Sequence, residues 1–440
     1  MKNMRLLLRF LTVGGLVLLL LVPLTMIRGS IQERQAYRNQ AVAQVEQSVA
    51  GAQAIAGPLR VVPWTETREI DTVDARNFPQ KKVETITGYE VQTPRSLRME
   101  GRLVPDTRKL GLHEVRIYTW RGSLNATFDQ PLLKDQGLRR YGQPYLILSV
   151  QDVRGFVGTP RLTIDGRALR FAPGTRDAGK QLGGVHAVLP AAAEGVPPGR
   201  DVKIEFALAG TESLAVVPVG DSNNIQLHSA WPHPQFGGRF LPQTRKIGDA
   251  GFDAGWDISS LATDAQSQLA AGAGLVGEKT LDSLQVSLVD PVNIYSQADR
   301  ASKYGILFIV LTFVGFAMFE LIKRLPIHPL QYLLVGLALA IFFLLLLSLS
   351  EHIPFWQAYL AAAAACIGLL GFYLSHVLRS RMRALGFATM LTLLYGVLYG
   401  LLVSEDNALL MGSLLLFGIL AGIMWVTRKV DWYELGSSLR

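Results

Sequence analysis

The residues best equipped for chemistry are His228 and His233, the second inside Trp231-Pro-His-Pro-Gln-Phe236. Imidazole serves as a metal ligand or general base, but a metal site needs two or three converging donors, and neither HxH nor HExxH spacing occurs. Pro232 and Pro234 stiffen the backbone on both sides of His233. Trp231, His233 and Phe236 are therefore expected to form a rigid structural corner, with ligand contact or catalysis as the alternatives. Gly272-Ala-Gly274-Leu-Val-Gly277 has the spacing of a dinucleotide fingerprint, yet Asp264 to Ala271 offers no apolar run for the leading strand that motif requires, so a loop is expected. Asn125-Ala-Thr127 is a glycosylation sequon only in a host that glycosylates. There is no G-x-S-x-G, Ser/Lys or P-loop motif, and the single cysteine, Cys366, excludes an intrachain disulfide and a cysteine-built zinc site. No catalytic residue, metal or cofactor is expected.

The elements that would carry these residues are dominated by five apolar segments: Tyr304 to Ile322, Leu330 to Leu349, Trp356 to Leu378, Leu385 to Val403 and Ala408 to Val426. Each has about the 20 residues a helix needs to cross the hydrocarbon layer. Their connectors are short and alternate in charge: Lys323 and Arg324, then no basic residue, then Arg379, Arg381 and Arg383, then none, then Arg428 and Lys429. Positive charge stays on the cytoplasmic side, so the five orientations are set together. Ahead of them, Lys2, Arg5 and Arg9 precede an apolar run from Phe10 to Ile27 with no small-residue cleavage site after it, the pattern of an uncleaved anchor. The expectation is six spans with both termini cytoplasmic.

Composition agrees. The chain has 440 residues, 49% of them hydrophobic, and a net charge of +8. The expected cytoplasmic pieces hold eleven basic and three acidic residues, which accounts for all of that charge. The basic balance thus reports topology and gives no support to nucleic-acid binding.

Between anchor and bundle, Ser30-Ile-Gln-Glu33 has the form of a capping box, and Val42, Val45, Val49 and Ala52 repeat at helical spacing, predicting a juxtamembrane helix from about Ile31 to Ala54. Its thin apolar stripe is expected to pack on the neighbouring domain, a coiled-coil contact being the alternative. From Gly57 to about Asp290 the pattern changes to period two, in short β-branched and aromatic runs divided by Gly, Pro, Asn and Asp. This predicts an all-β, sandwich-like domain on the exterior side of the membrane. The Pro/Gly stretch Ala191 to Gly199 either divides it into two halves or joins two strands. The organisation expected is an anchor (1–28), a juxtamembrane helix (29–56), an exterior β-rich domain (57–303), which the resemblance given below would make periplasmic, a five-span bundle (304–427) and a cytoplasmic tail (428–440).

Inside the spans, ionisable groups are sparse. Glu320 stands near Lys323 and Arg324, where an interfacial ion pair is expected, and His376 is near a cytoplasmic end. Proton- or ion-coupled transport needs titratable groups within the span, so a transporter or flippase-like role is the alternative reading. Gly396 and Gly400, and Gly418 and Gly422, place small residues four apart on the last two segments, a pattern for close helix packing within the chain or between chains.

Met26-Ile-Arg-Gly-Ser-Ile-Gln-Glu-Arg-Gln-Ala-Tyr-Arg38, Gly57-Pro-Leu, Val62-Pro-Trp, Val217-Pro-Val-Gly220, Trp231 to Pro242, Phe252-Asp-Ala-Gly-Trp256, Asp290-Pro-Val-Asn-Ile-Tyr295 and Arg300-Ala-Ser-Lys-Tyr-Gly305 together resemble the CreD family of bacterial inner-membrane proteins nearly end to end. The resemblance implies a role in cell-envelope integrity, under control of the CreBC two-component system, and brings no catalytic residues. The function expected is a non-enzymatic envelope protein acting through its β-domain. An envelope enzyme using the Trp231 to Phe236 cluster is the further alternative. The lipid bilayer is its surroundings, and a periplasmic or inner-membrane protein is the partner class left open.

Overall fold

The computed structural model describes residues 2–73, 79–129, 135, 137–176, 182–190, 199–275, 280–288, 294–323, 327–377, 380–403 and 408–428. The chain divides into two compact units, Met1–Arg38 with Val292–Arg440, and Asn39–Pro291.

The second unit is β-rich. Among the described residues it holds a nine-stranded and an eight-stranded sheet. In the first, Gln53–Val73 pairs antiparallel with Pro79–Gln92 and Tyr145–Val150 and parallel with Ser213–Val216, which continues through Leu284–Leu288 to the edge strand Pro234–Gly238. In the second, Ser96–Leu110 pairs antiparallel with His113–Thr127 and parallel with Ser222–Ser229. Beyond these lie Asp201–Thr211 on one side and Gly251–Ser259 with Thr244–Gly248 on the other. Strands of the second sheet alternate buried and exposed residues, because one face is packed and the other is solvated. Tyr145–Val150 is buried at every position. The inward residues of both sheets form one core around Trp120 and Trp256, both fully buried. Residues 191–198 lie outside the described set; each sheet draws strands from both sides of that stretch.

Trp120 explains two glycines. A Cβ on Gly101 would collide with the indole nitrogen, and one on Gly122 would come within 2.9 Å of Phe206, which meets Trp120 edge-on at 4.9 Å between centroids. A large ring lying across two strands needs neighbours without side chains.

In the other unit the first helix, α1 (Lys2–Ser48), departs from expectation. It runs unbroken through Ser30, whose hydroxyl donates to the carbonyl of Met26 four residues back, so the capping box does not start a new helix. Nothing between Pro23 and Ser48 breaks the pattern, and the next element is already strand by Gln53. Its last turns belong to the β-rich unit, where Val45 is buried with Val115 and Ile117, and Val42 and Val49 pack beside them. After the short α2 (Ala265–Ala270) come α3 (Ile294–Lys303), α4 (Gly305–Lys323), α5 (Pro329–Ser350), α6 (Phe355–Val377), α7 (Arg381–Val403) and α8 (Ala408–Thr427). α3, expected at the end of the β-domain, is grouped with the apolar helices.

Four helices among the described residues are long and apolar enough to cross a membrane, within Leu11–Ser48, Pro329–Ser350, Phe355–Val377 and Arg381–Val403. A fifth results if α3 and the first part of α4, bent by 43°, count as one span. The apolar stretch Gly412–Gly422 in α8 is shorter. α5 starts on a capping box, in which the Leu330 amide donates to His328 Nδ1 at 3.2 Å and the His328 amide donates to Gln331 Oε1 at 3.0 Å, with Pro329 in the first turn.

Candidate functional site

The Trp231 to Phe236 motif sits where a strand of the eight-stranded sheet crosses to the edge of the nine-stranded one. Trp231 Nε1 donates to the backbone carbonyl of His233 at 2.9 Å, and the Trp231 amide donates to Ser229 Oγ at 3.2 Å. The Arg116 guanidinium lies 4.7 Å over the indole. The His233 ring stands edge-on 6.2 Å from the indole and is exposed, so the residue contributes its carbonyl to the corner and not its imidazole. Phe236 turns inward from the nine-stranded sheet and meets Phe252 at 5.6 Å and Trp256 at 5.8 Å, both from the other sheet. Edge-to-face contacts of this kind add to plain area burial. Trp231 is thus joined to the His233 carbonyl at the crossing, and Phe236 packs between the sheets just beyond it.

His228 is not brought into that corner's hydrogen bonds. It lies opposite Asp253 in the antiparallel register, and its Nδ1 is 2.5 Å from Asp253 Oδ1. The pair borders a cleft of about 500 Å³ lined by Arg102, Val104, Pro105, His228, Lys246 and Ile247 among others. Among the described residues no group of three or more His, Cys, Asp or Glu side chains converges as a metal site would need.

Residues 5–433 match the family model described as inner membrane protein CreD. The chain is also 38% identical over 426 residues to inner membrane protein CreD of Escherichia coli (strain K12), covering 95% of this chain and 92% of that one. The chain belongs to the CreD family of inner membrane proteins. Among solved structures, the M1 zinc metallopeptidase of Deinococcus radiodurans aligns at 9% identity over 44% of this chain and 42% of its own, with a TM-score of 0.23. That is too low a score to bear on fold or chemistry. A form of it bound to a Tyr-Ser-Ala substrate aligns with the same values.

In this CreD-family chain three of the four glycines expected to mediate helix packing have open space beside them among the described residues. A Cβ on Gly396, Gly418 or Gly422 would meet nothing within 4 Å, and no described residue of α8 enters the buried core. Close approach occurs instead at Gly305, where a Cβ would lie 3.0 Å from Leu24; at Gly315, 2.7 Å from the Met390 sulfur; and at Gly336, where it would strike Leu20. No Gly-x-x-x-Gly spacing marks these positions, and each neighbour comes from a distant segment. Glu320 accepts from the Tyr332 hydroxyl at 2.7 Å beside a cavity of about 290 Å³ shared with Thr12 and His328; the side chains of Lys323 and Arg324, its expected partners, lie outside the described residues. Ala271 and Gly272 form a turn after α2, and Gly274 makes an isolated bridge to Thr280, which is not the strand-to-helix turn of a dinucleotide site; Gly277 lies outside the described residues. Asn125 sits within a strand, paired with Arg98 and Lys203.

Two polar groups in this family member were not anticipated. Arg60 is fully buried, donates from Nε to Gln92 Oε1 at 2.7 Å and lies 5.2 Å from the Phe128 ring centroid. Burial pushes its guanidinium below the ordinary range, partly offset by Asp165. The one signal was an arginine set in the apolar run Leu59 to Val62. Cys366 links three helices, its Sγ donating towards the Ala338 carbonyl at 3.5 Å and accepting from the Tyr395 hydroxyl at 3.1 Å, while Tyr359 donates to the Tyr395 carbonyl at 2.6 Å. Interhelical bonds of this type fix helix register where lipid gives no hydrophobic drive.

Proposed function

We propose that this chain supports the integrity of the bacterial cell envelope as a non-enzymatic inner-membrane protein of six spans. Both termini are cytoplasmic and the β-rich unit is periplasmic. The observation that carries this reading is the insertion of a β-rich unit, Asn39–Pro291, between one apolar helix and a C-terminal set of apolar helices whose connectors alternate between basic and uncharged. Counting the bent pair α3 and α4 as one span and α8 as the last brings the C-terminal set to five. The non-enzymatic reading is supported by the structural use of Trp231, the His233 carbonyl and Phe236. Reporter fusions at Gly199 should read periplasmic and at Arg381 cytoplasmic, and the full chain should restore envelope-stress resistance to a deletion strain. A cytoplasmic signal at Gly199, or failure to complement at normal abundance, refutes the proposal.

A transporter is the second reading, favoured by the cavity that Glu320, Thr12, His328 and Tyr332 share. The two separate on Glu320→Gln: the envelope role predicts full complementation, whereas coupled transport needs the carboxylate.

A further inference from the structure

On the solvated face of the eight-stranded sheet, five side chains stand in one row across neighbouring strands. The register aligns Lys246 with Asp253, Asp253 with His228, His228 with Arg102 and Arg102 with Arg121. Asp253 is the one acid in the row, and it is taken up by His228 at 2.5 Å. Arg102, Arg121 and Lys246 are exposed and make no ion pair among the described residues. Some basic residues of this unit are paired, Arg139 with Glu66, Arg154 with Asp152, Arg140 with Asp135 and Lys203 with Glu205, while Arg98, Arg108, Arg167 and Arg245 are unpaired among the described residues like those of the row; what marks the row is that its three free cations stand in register on one face. The other acids on the same face include Glu100, between Gln226 and Ser123; Asp106, two positions beyond Val104, which accepts from the Thr107 amide; Asp201, which accepts from the Thr127 hydroxyl; Glu205, held by Lys203; and Asp257, which accepts from Asn224.

Like charges placed directly opposite on a sheet are destabilising, so Arg102 facing Arg121 costs stability unless a counter-charge arrives. Arg102, Lys246 and His228 also line the cleft of about 500 Å³, whose remaining wall includes the apolar side chains of Val104, Pro105 and Ile247. A guanidinium fork offers two parallel donors to a tetrahedral or planar anion, and an ammonium adds a mobile third.

We propose that this cleft binds a phosphate-type anion, with Arg102 and Lys246 as its principal ligands, His228 held at its floor by Asp253, and Arg121 reinforcing the potential from the next strand. The anion reaches it either free or as the head group of a phospholipid, whose apolar body would meet Val104, Pro105 and Ile247.

The test uses the full chain in zwitterionic nanodiscs at fixed ionic strength. Calorimetric titration is run with inorganic phosphate and, separately, with short-chain phosphatidylglycerol, the matching phosphatidylcholine serving as neutral control. Saturable binding of at least one anion is expected, weakened about tenfold or more in Arg102→Gln and Lys246→Gln and unchanged in Arg167→Gln on the opposite edge of the sheet. Binding of phosphate assigns a free anion, and binding of phosphatidylglycerol alone assigns a head group. No saturable binding of either, or equal loss in Arg167→Gln, overturns the proposal. Unfolding curves for each variant separate lost binding from lost fold, since removing Arg102 from opposite Arg121 should not lower the melting temperature.

Discussion

Asp152 and Arg154 grip each other at the end of a strand and together fasten the C-terminal end of α1 to the β-rich core. Arg154 Nη2 lies 2.5 Å from Asp152 Oδ2 and its Nε donates to Oδ1 at 3.0 Å. The same guanidinium donates to the carbonyls of Gln47 at 2.7 Å and Glu46 at 3.3 Å, orphan acceptors in the last turn of the helix. Asp152 in turn accepts from the Gly51 amide at 3.3 Å.

This clamp makes stability pH-dependent. Arg154, and then the Arg154 and Gly51 amides, hold the Asp152 carboxyl below its usual range against the opposing effect of burial. A depressed carboxylate contributes stability above its unfolded pKa of about 3.9, and loses it as pH falls through the lower folded value. Asp152→Asn should therefore lower Tm at pH 7, with the gap to the parent chain closing below about pH 4. Thermal unfolding of the detergent-solubilised chain between pH 7 and 3 checks this, and a gap constant down to pH 3 contradicts it.

Trp231 and His233 should respond differently to substitution. Trp231→Ala removes a half-buried indole, its bond to the His233 carbonyl and the Arg116 contact, for a loss of about 2 to 3 kcal/mol. His233→Asn keeps the backbone carbonyl and should stay within about 0.5 kcal/mol, as exposed substitutions do. Denaturant titration measures both, and a destabilised His233→Asn would place the imidazole in the corner after all.

For the apolar helices, Gly336→Leu drives a side chain into Leu20 and brings it to Phe313, 3.0 Å from the Cβ position. Overpacking of this kind costs about 1 to 3 kcal/mol, so the variant should melt early. Gly418→Leu should melt with the parent chain. Early melting of Gly418→Leu alone would mean that α8 meets a neighbour from another copy.

Arg34 and Glu351 form an ion pair at 3.6 Å in which Glu351 is almost fully buried and also accepts from the Tyr295 hydroxyl at 3.4 Å. This ties α1 to α3 and the end of α5. Because Arg34 is half exposed, screening limits the pair, and a double-mutant cycle of Arg34→Ala and Glu351→Ala should give a coupling of about 1 kcal/mol. A coupling indistinguishable from zero would make the pair incidental.

Much of this organisation is a local property of the sequence. An apolar helix is recognised by summed hydropathy over about 20 residues, and a half-buried strand by alternation of period two, so the apolar segments and the β-rich unit between them are legible from windows of the chain. Positions decided by what lies opposite are not. The parallel pairing of Gln53–Val73 with Ser213–Val216 joins segments far apart in sequence, and the row from Lys246 to Arg121 exists only once four strand registers are set. Ser30 opens a capping box in sequence but sits inside a continuous helix, because a cap forms only where the helix ends. The spacing of Gly418 and Gly422 marks a surface that permits close approach. Only the tertiary structure decides whether a helix comes, and it brings Leu20 to Gly336 instead, since packing depends on the partner's surface as much as on the residue's own.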